Sequence, residues 1–151
     1  AYALMTIGAF GMGVLLGHGA VKGDQIDDFT GLAQKHPLAA AIMLLFLLSL
    51  TGIPPTAGFV GKLYLFASAI EAGYYWLVII AVVNSAISLF YYMRVVVAMY
   101  MREIPPRGIA TSPSFALNIA LLLTAAGTLL LGIFPGPILE LARASAAMIG
   151  G

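Results

Sequence analysis

The chain has 151 residues, 62% of them hydrophobic and only 9% charged, with a formal net charge of +1 and a mean hydropathy of +1.03; an ordinary soluble domain carries about 25% charged residues. That is the composition of a membrane protein, and its few, balanced charges exclude a binder of nucleic-acid phosphates. The absence of Cys excludes disulfides, thiolate metal sites, iron–sulfur ligation and a Cys nucleophile, so no redox centre is expected in this chain.

A bilayer core about 30 Å thick needs roughly 20 apolar residues per crossing helix. The first candidate, Ala1 to about Gly17 (1–17), carries neither an initiator Met nor a basic leader. It reads as a helix entered partway along, and the chain is expected to be the C-terminal part of a longer protein. A polar connection with His18, Lys22, Asp24, Asp27, Asp28, Lys35 and His36 follows. Neither histidine has a partner at metal-ligand spacing, so no metal site is expected.

The second candidate covers 37–72 but is interrupted near 52–58 by Gly52, Pro54, Pro55 and Gly58. Each half is too short to span comfortably alone, and together they read as one broken crossing. The third candidate, 74–101, is bordered by Tyr74, Tyr75 and Trp76 at one end and by Tyr91, Tyr92 and Tyr100 at the other, as an interfacial aromatic belt would be. The fourth, 115–134, stops at Pro135 to Pro137, and 138–149 reads as a short interfacial helix. The expected fold is an all-α polytopic membrane protein with about four transmembrane segments, one of them broken, in a single membrane domain over 1–151.

If the broken segment crosses once, the first and third connections share a side that holds Lys22, Lys35, Arg102 and Arg107, with Arg94 nearby, while the other side holds Arg143. The excess of positive charge then places the first and third connections in the cytoplasm and the C-terminus on the outer side.

Lys62 is the outlier, an ionisable group inside apolar sequence a few residues past the break. Three readings compete: a lysine snorkelling to an interface, a structural ion pair with a carboxylate, and a proton-relay group. Backbone interrupted by Gly and Pro at membrane depth must face protein or water, and discontinuous helices put half-helix ends near the midplane where ions bind. That combination favours the relay, although a plain turn between two short buried helices fits the Gly/Pro spacing as well. Asn84, Ser85 and Ser88 form a polar patch in the third segment, with Asn84 and Ser88 four apart on one face; they line a hydrated path or simply bond between helices. Tyr64 is a candidate to hold a water beside Lys62, or to pack as an aromatic. Ser49 and Thr51 are expected to bond back to carbonyls freed at the break. Arg94 reads as snorkelling to the headgroups. No nucleotide-binding or hydrolytic motif is present.

Two stretches, "LSLTGIPPTAGFVGK" and "NSAISLFYYMRV", carry a specific resemblance. In order and spacing the chain resembles the antiporter-like subunits of the proton-pumping NADH-quinone oxidoreductase, respiratory complex I, and among them the C-terminal part of the subunit N family. The resemblance implies an inverted-repeat fold whose second repeat contains the broken helix 37–72, and it implies that Lys62 is the terminal lysine of a buried proton-relay line. It further implies a translocase subunit that holds no cofactor itself, with NADH, FMN, iron–sulfur clusters and quinone bound by partner subunits. The expected partners are the complex's other membrane subunits, including neighbouring antiporter-like ones, and the lipid bilayer, with no nucleic acid. The expected location is the bacterial inner (plasma) membrane. Two alternatives remain open at this stage, a subunit of a multisubunit cation/proton antiporter or membrane-bound hydrogenase, and a structural membrane helix bundle.

Overall fold

A computed structural model of the chain describes residues 2–17, 25–103, 114–137, 140–141 and 144–145. His18, Lys22, Asp24, Arg107, Arg143 and much of the expected interfacial stretch 138–149 lie outside these residues; of that stretch, 140–141 and 144–145 are helical. The described residues are helical throughout, with no strand. Helix α1 is Tyr2–Leu16, and a 3-10 turn, Ile26–Phe29, leads to the one-turn helix α2, Leu32–Lys35. Helices α3 (Pro37–Thr51), α4 (Ala57–Glu71), α5 (Tyr75–Met101) and α6 (Phe115–Ile133) complete the order.

Local sequence explains the boundaries. Pro37 opens α3 at a position where a missing amide N–H costs nothing. Gly52 closes it with φ 91°, a left-handed conformation that glycine adopts without steric penalty. The α4–α5 turn uses Gly73 in the same way, with φ 82°. Ser114 caps α6 by accepting from the Leu117 amide at 3.3 Å. The Pro54–Pro55 peptide is cis.

Helices α1, α3 and α6 pack against one another around the buried side chains of Met12, Leu16, Phe46 and Leu121, with Leu32 and Met99 closing the cluster at one end. Helices α5 and α6 are long and apolar enough to cross a membrane. Each of them touches both α3 and α4, so continuous helices flank the junction of the two 15-residue half-helices. Large apolar side chains on the outer faces of α1, α4, α5 and α6 are exposed, as suits helices solvated by lipid or by other membrane protein.

The first connection folds onto the end of α5. The Gly31 amide donates to the Ala98 carbonyl at 3.0 Å, and Arg102 reaches Asp27 at 3.1 Å. The first and third connections therefore share one end of the bundle. Among the described residues, Lys35, Arg94 and Arg102 lie toward it, and the α4–α5 turn at the opposite end carries Glu71 and no basic residue.

Helix α6 reaches the break at Gly132, where a Cβ would run into the Pro55 carbonyl oxygen and come within 2.7 Å of the Ala57 amide nitrogen. Gly132→Ala should therefore destabilise the full-length protein by about 1–3 kcal/mol, the usual cost of overpacking. Gly136→Ala, where nothing lies within 4 Å, should not. Thermal melting of both variants in detergent checks this, and equal midpoints would contradict the contact.

Candidate functional site at the helix break

An α-helix ends with four carbonyls that have no intrahelical partner. In α3 these belong to Leu48, Ser49, Leu50 and Thr51. The first two are taken by the chain itself: the Ile53 amide donates to Leu48 at 3.0 Å and the Gly52 amide to Ser49 at 3.1 Å, the Schellman closure that a left-handed glycine permits. The other two face the membrane interior, where no bulk water can satisfy them.

Lys62 satisfies them. From the second turn of α4 its side chain reaches back across the break, and Nζ donates to the Thr51 carbonyl at 2.7 Å and the Leu50 carbonyl at 3.1 Å. A third bond goes to Ser85 Oγ on α5 at 3.1 Å, and that hydroxyl donates onward to the Ala81 carbonyl at 2.9 Å. An ammonium has three N–H donors, and here they meet three acceptors. The carbonyl end of a helix carries the negative pole of its dipole, which favours a cation there. Gly52 makes the approach possible, since a Cβ at that position would lie 2.9 Å from Lys62 Cδ.

The reciprocal contact runs from α3 to α4. Ser49 Oγ, fully buried, accepts from the Gly58 amide at 3.2 Å, one of the unpaired donors at the start of α4. Its own proton is directed at the Met5 sulfur on α1. Gly58 is packed so closely on the Ser49 backbone that a Cβ would overlap the Ser49 carbonyl. Thus α4 caps the carbonyl end of α3 through Lys62, while α3 caps the amide end of α4 through Ser49. Thr51 bonds back to the Leu47 carbonyl at 2.8 Å, and Thr56 bonds to the Ile53 carbonyl at 2.7 Å.

Lys62 is half-buried. Beside it is an open, largely apolar groove of about 190 Å³ whose wall includes Tyr2, Met5, Leu50, Gly61 and Leu65. Nine residues, roughly 14 Å of helix at 1.5 Å per residue, separate Lys62 from Glu71 at the end of α4.

The residues expected to act with Lys62 are sorted by this geometry. Gly52 and Gly58 shape the break, and Pro54 and Pro55 form its exposed outer turn. Ser88 bonds to the Asn84 carbonyl on its own helix at 2.8 Å, and Asn84 faces outward, exposed. Tyr64 is exposed on the far side of α4, two residues and so about 200° around the helix from Lys62. Ser85, which the sequence places in the same polar patch, is the hydroxyl that meets the lysine. Ser49 and Met5 are the participants that sequence reasoning did not assign to the site. Ser49 carried a signal in its position just before the break, and Met5 carried none. Among the described residues no three His, Asp or Glu side chains converge as a cation site.

A discontinuous helix flanked by helices of membrane-crossing length, with a lysine docked on its terminal carbonyls, defines the class: a polytopic protein built like the broken-helix units of ion transporters. Residues 1–88 match the model of the NADH:quinone oxidoreductase/Mrp antiporter transmembrane family, and the chain belongs to that family. It is 48% identical over 148 residues to NADH-quinone oxidoreductase subunit N 1 of Solibacter usitatus, covering 97% of this chain and 30% of that protein. It is likewise 48% identical over 128 residues to F(420)H(2) dehydrogenase subunit N of Methanosarcina mazei, covering 83% of this chain and 26% of that one. A chain of respiratory complex I from Thermus thermophilus with bound aureothin superposes with a TM-score of 0.75 at 32% identity, over 92% of this chain and 32% of that chain. The chain thus spans about 30% of the length of the curated relatives it matches, and the resemblance to subunit N read from its motifs is shown by them.

Ser49→Ala leaves the Gly58 amide buried without a partner, a loss of about 1–3 kcal/mol. The full-length variant should melt at a lower temperature than wild type while still inserting in the membrane; unchanged melting would mean that the amide has another acceptor.

Proposed function

We propose that this chain contributes a proton-transfer station to a proton-translocating membrane subunit of an NADH-quinone oxidoreductase-type complex, and that Lys62 is the group that takes up and releases the proton. One observation carries the reading: the amine docks on the two carbonyls that end α3, between helices long and apolar enough to cross a membrane. An ionisable residue inside a membrane is costly to keep, and where one persists it marks an ion pathway by default. Lysine suits the task because its amine can lose a proton. The carbonyls and Ser85 Oγ hold the protonated form.

Family membership and the names of the relatives support a wider assignment. The helices form a single membrane domain, set beside other membrane subunits that include further antiporter-like ones. The membrane is the bacterial inner membrane, the end bearing Lys35 and Arg102 is cytoplasmic, and the C-terminus is outside. NADH, FMN, iron–sulfur clusters and quinone belong to partner subunits. The similarity to a subunit of an F(420)H(2) dehydrogenase fits a membrane unit that is indifferent to which electron carrier drives it. Tyr64, Asn84 and Ser88 stand farther from the proton than Ser85 does.

The test uses membrane vesicles carrying the full-length protein in its complex. Lys62→Arg keeps a cation on the α3 carbonyls but one that hardly deprotonates, so it separates capping from proton transfer. Proton translocation should fall at least about tenfold, an increase of roughly 1.4 kcal/mol in the barrier, in both Lys62→Arg and Lys62→Ala while the complex stays assembled. Near-normal pumping by Lys62→Arg would reduce the lysine to a structural cap. Proton movement that follows a sodium gradient without electron transfer would instead favour the cation/proton antiporter reading. In the same assay Ser85→Ala should slow translocation, with Ser85→Thr, which keeps the hydroxyl, restoring it; equal rates for the two would remove Ser85 from the path.

A further inference from the structure

We propose that the face of α5 near the first connection is a binding site for the phosphate headgroup of an anionic phospholipid. Phe90, Met93, Arg94 and Val97 follow one another at i, i+3, i+4 and i+7, one face of a helix. With Arg102 and Asp27 they line an open groove of about 720 Å³. Arg94 lies eight residues, roughly 12 Å, inside Arg102 along the helix, and its side chain is exposed. Among the described residues it has no ion-pair or hydrogen-bond partner. A guanidinium at that depth needs an anion or a reach toward the headgroups.

Arg102 bonds to Asp27 at 3.1 Å, with the two side chains 55% and 80% exposed. A pair so open to solvent is weak, and it engages one Arg102 nitrogen, leaving other donors of the guanidinium fork available. The groove therefore offers two guanidinium groups against one carboxylate. The α5 side of its wall is apolar, made by Phe90, Met93 and Val97, and Gln25 and Ile26 border the groove from the first connection. A phosphate accepts from guanidinium in bidentate fashion, and an attached acyl chain covers the apolar wall. Free phosphate would satisfy only the arginines. The end of the bundle also fits: three of the four described basic residues, Lys35, Arg94 and Arg102, lie toward it, and basic pockets on the cytoplasmic side of membrane helices take anionic headgroups.

The experiment is spin-label electron paramagnetic resonance on the full-length protein in its complex, reconstituted in phosphatidylcholine vesicles with a minority of phosphatidylglycerol. It reads the association of spin-labelled phosphatidylglycerol relative to spin-labelled phosphatidylcholine. The Arg94→Gln/Arg102→Gln double variant should lower that preference by about fivefold or more. Val97→Trp, which fills the groove without changing charge, should lower it as well. Lys35→Gln, which removes a charge at the same end but outside the groove, should leave most of it. Three results would each overturn the proposal: a preference unchanged in both groove variants, a preference abolished by inorganic phosphate alone, which would make this a free-anion site, or loss of a neighbouring subunit from the Arg94→Gln complex with lipid selectivity intact, which would make the occupant a protein.

Discussion

Backbone that leaves the helix inside a membrane must find its hydrogen-bond partners in protein, and the structure meets this constraint by having each half-helix cap the other. Two of the four terminal carbonyls of α3 are closed by Gly52 and Ile53 amides, and the other two by Lys62. Ser49 in turn closes an amide at the start of α4. The neighbouring helices are arranged around this latch: α1 supplies Met5 to Ser49, α5 supplies Ser85 to Lys62, and α6 presses Gly132 onto the backbone of the turn. Removing one element of the latch leaves a polar group of the break without the partner it has here.

The same arrangement gives the proposed function its physical content. Lys62 is the cap of a helix end, and in the proposed function it is also the group that exchanges a proton, so a change in its charge would be felt by the carbonyls it holds. An uncharged amine has two donors where the ammonium has three, and the dipole of α3 then loses its counter-charge. On that proposal, proton transfer and the geometry of the break are linked through the two carbonyl hydrogen bonds, and the link extends to α5 through Ser85. A cation that cannot deprotonate would preserve the architecture and stop the exchange, which is why arginine at this position separates the two roles.

Much of this was legible from sequence because the membrane simplifies the reading. Long apolar runs marked α5 and α6, Gly52 to Gly58 marked the break, and a single charge in apolar surroundings singled out Lys62. What sequence lacked was direction. The spacing placed Lys62 in the first turns of α4 but not the way its four-carbon stem folds back to α3. Asn84 and Ser88 share a face by their four-residue spacing, and Ser85 lies about 100° from Asn84; only the packing of α5 on the break shows which face meets the lysine. Ser49 was expected to bond its own helix and instead serves the next one, because Gly58 lets the two backbones come within reach. Met5 is separated from Ser49 by 44 residues, and no local pattern encodes that contact.

The most direct test of the account is isotope-edited infrared spectroscopy of the full-length protein in its complex, with ¹³C at the Leu50 and Thr51 carbonyls, followed during turnover. If Lys62 releases its proton while docked on α3, the labelled amide bands shift in step with proton translocation, and the shift is absent in Lys62→Ala. If translocation proceeds while those bands stay fixed, the lysine is a permanent cap, and the proton travels by another route.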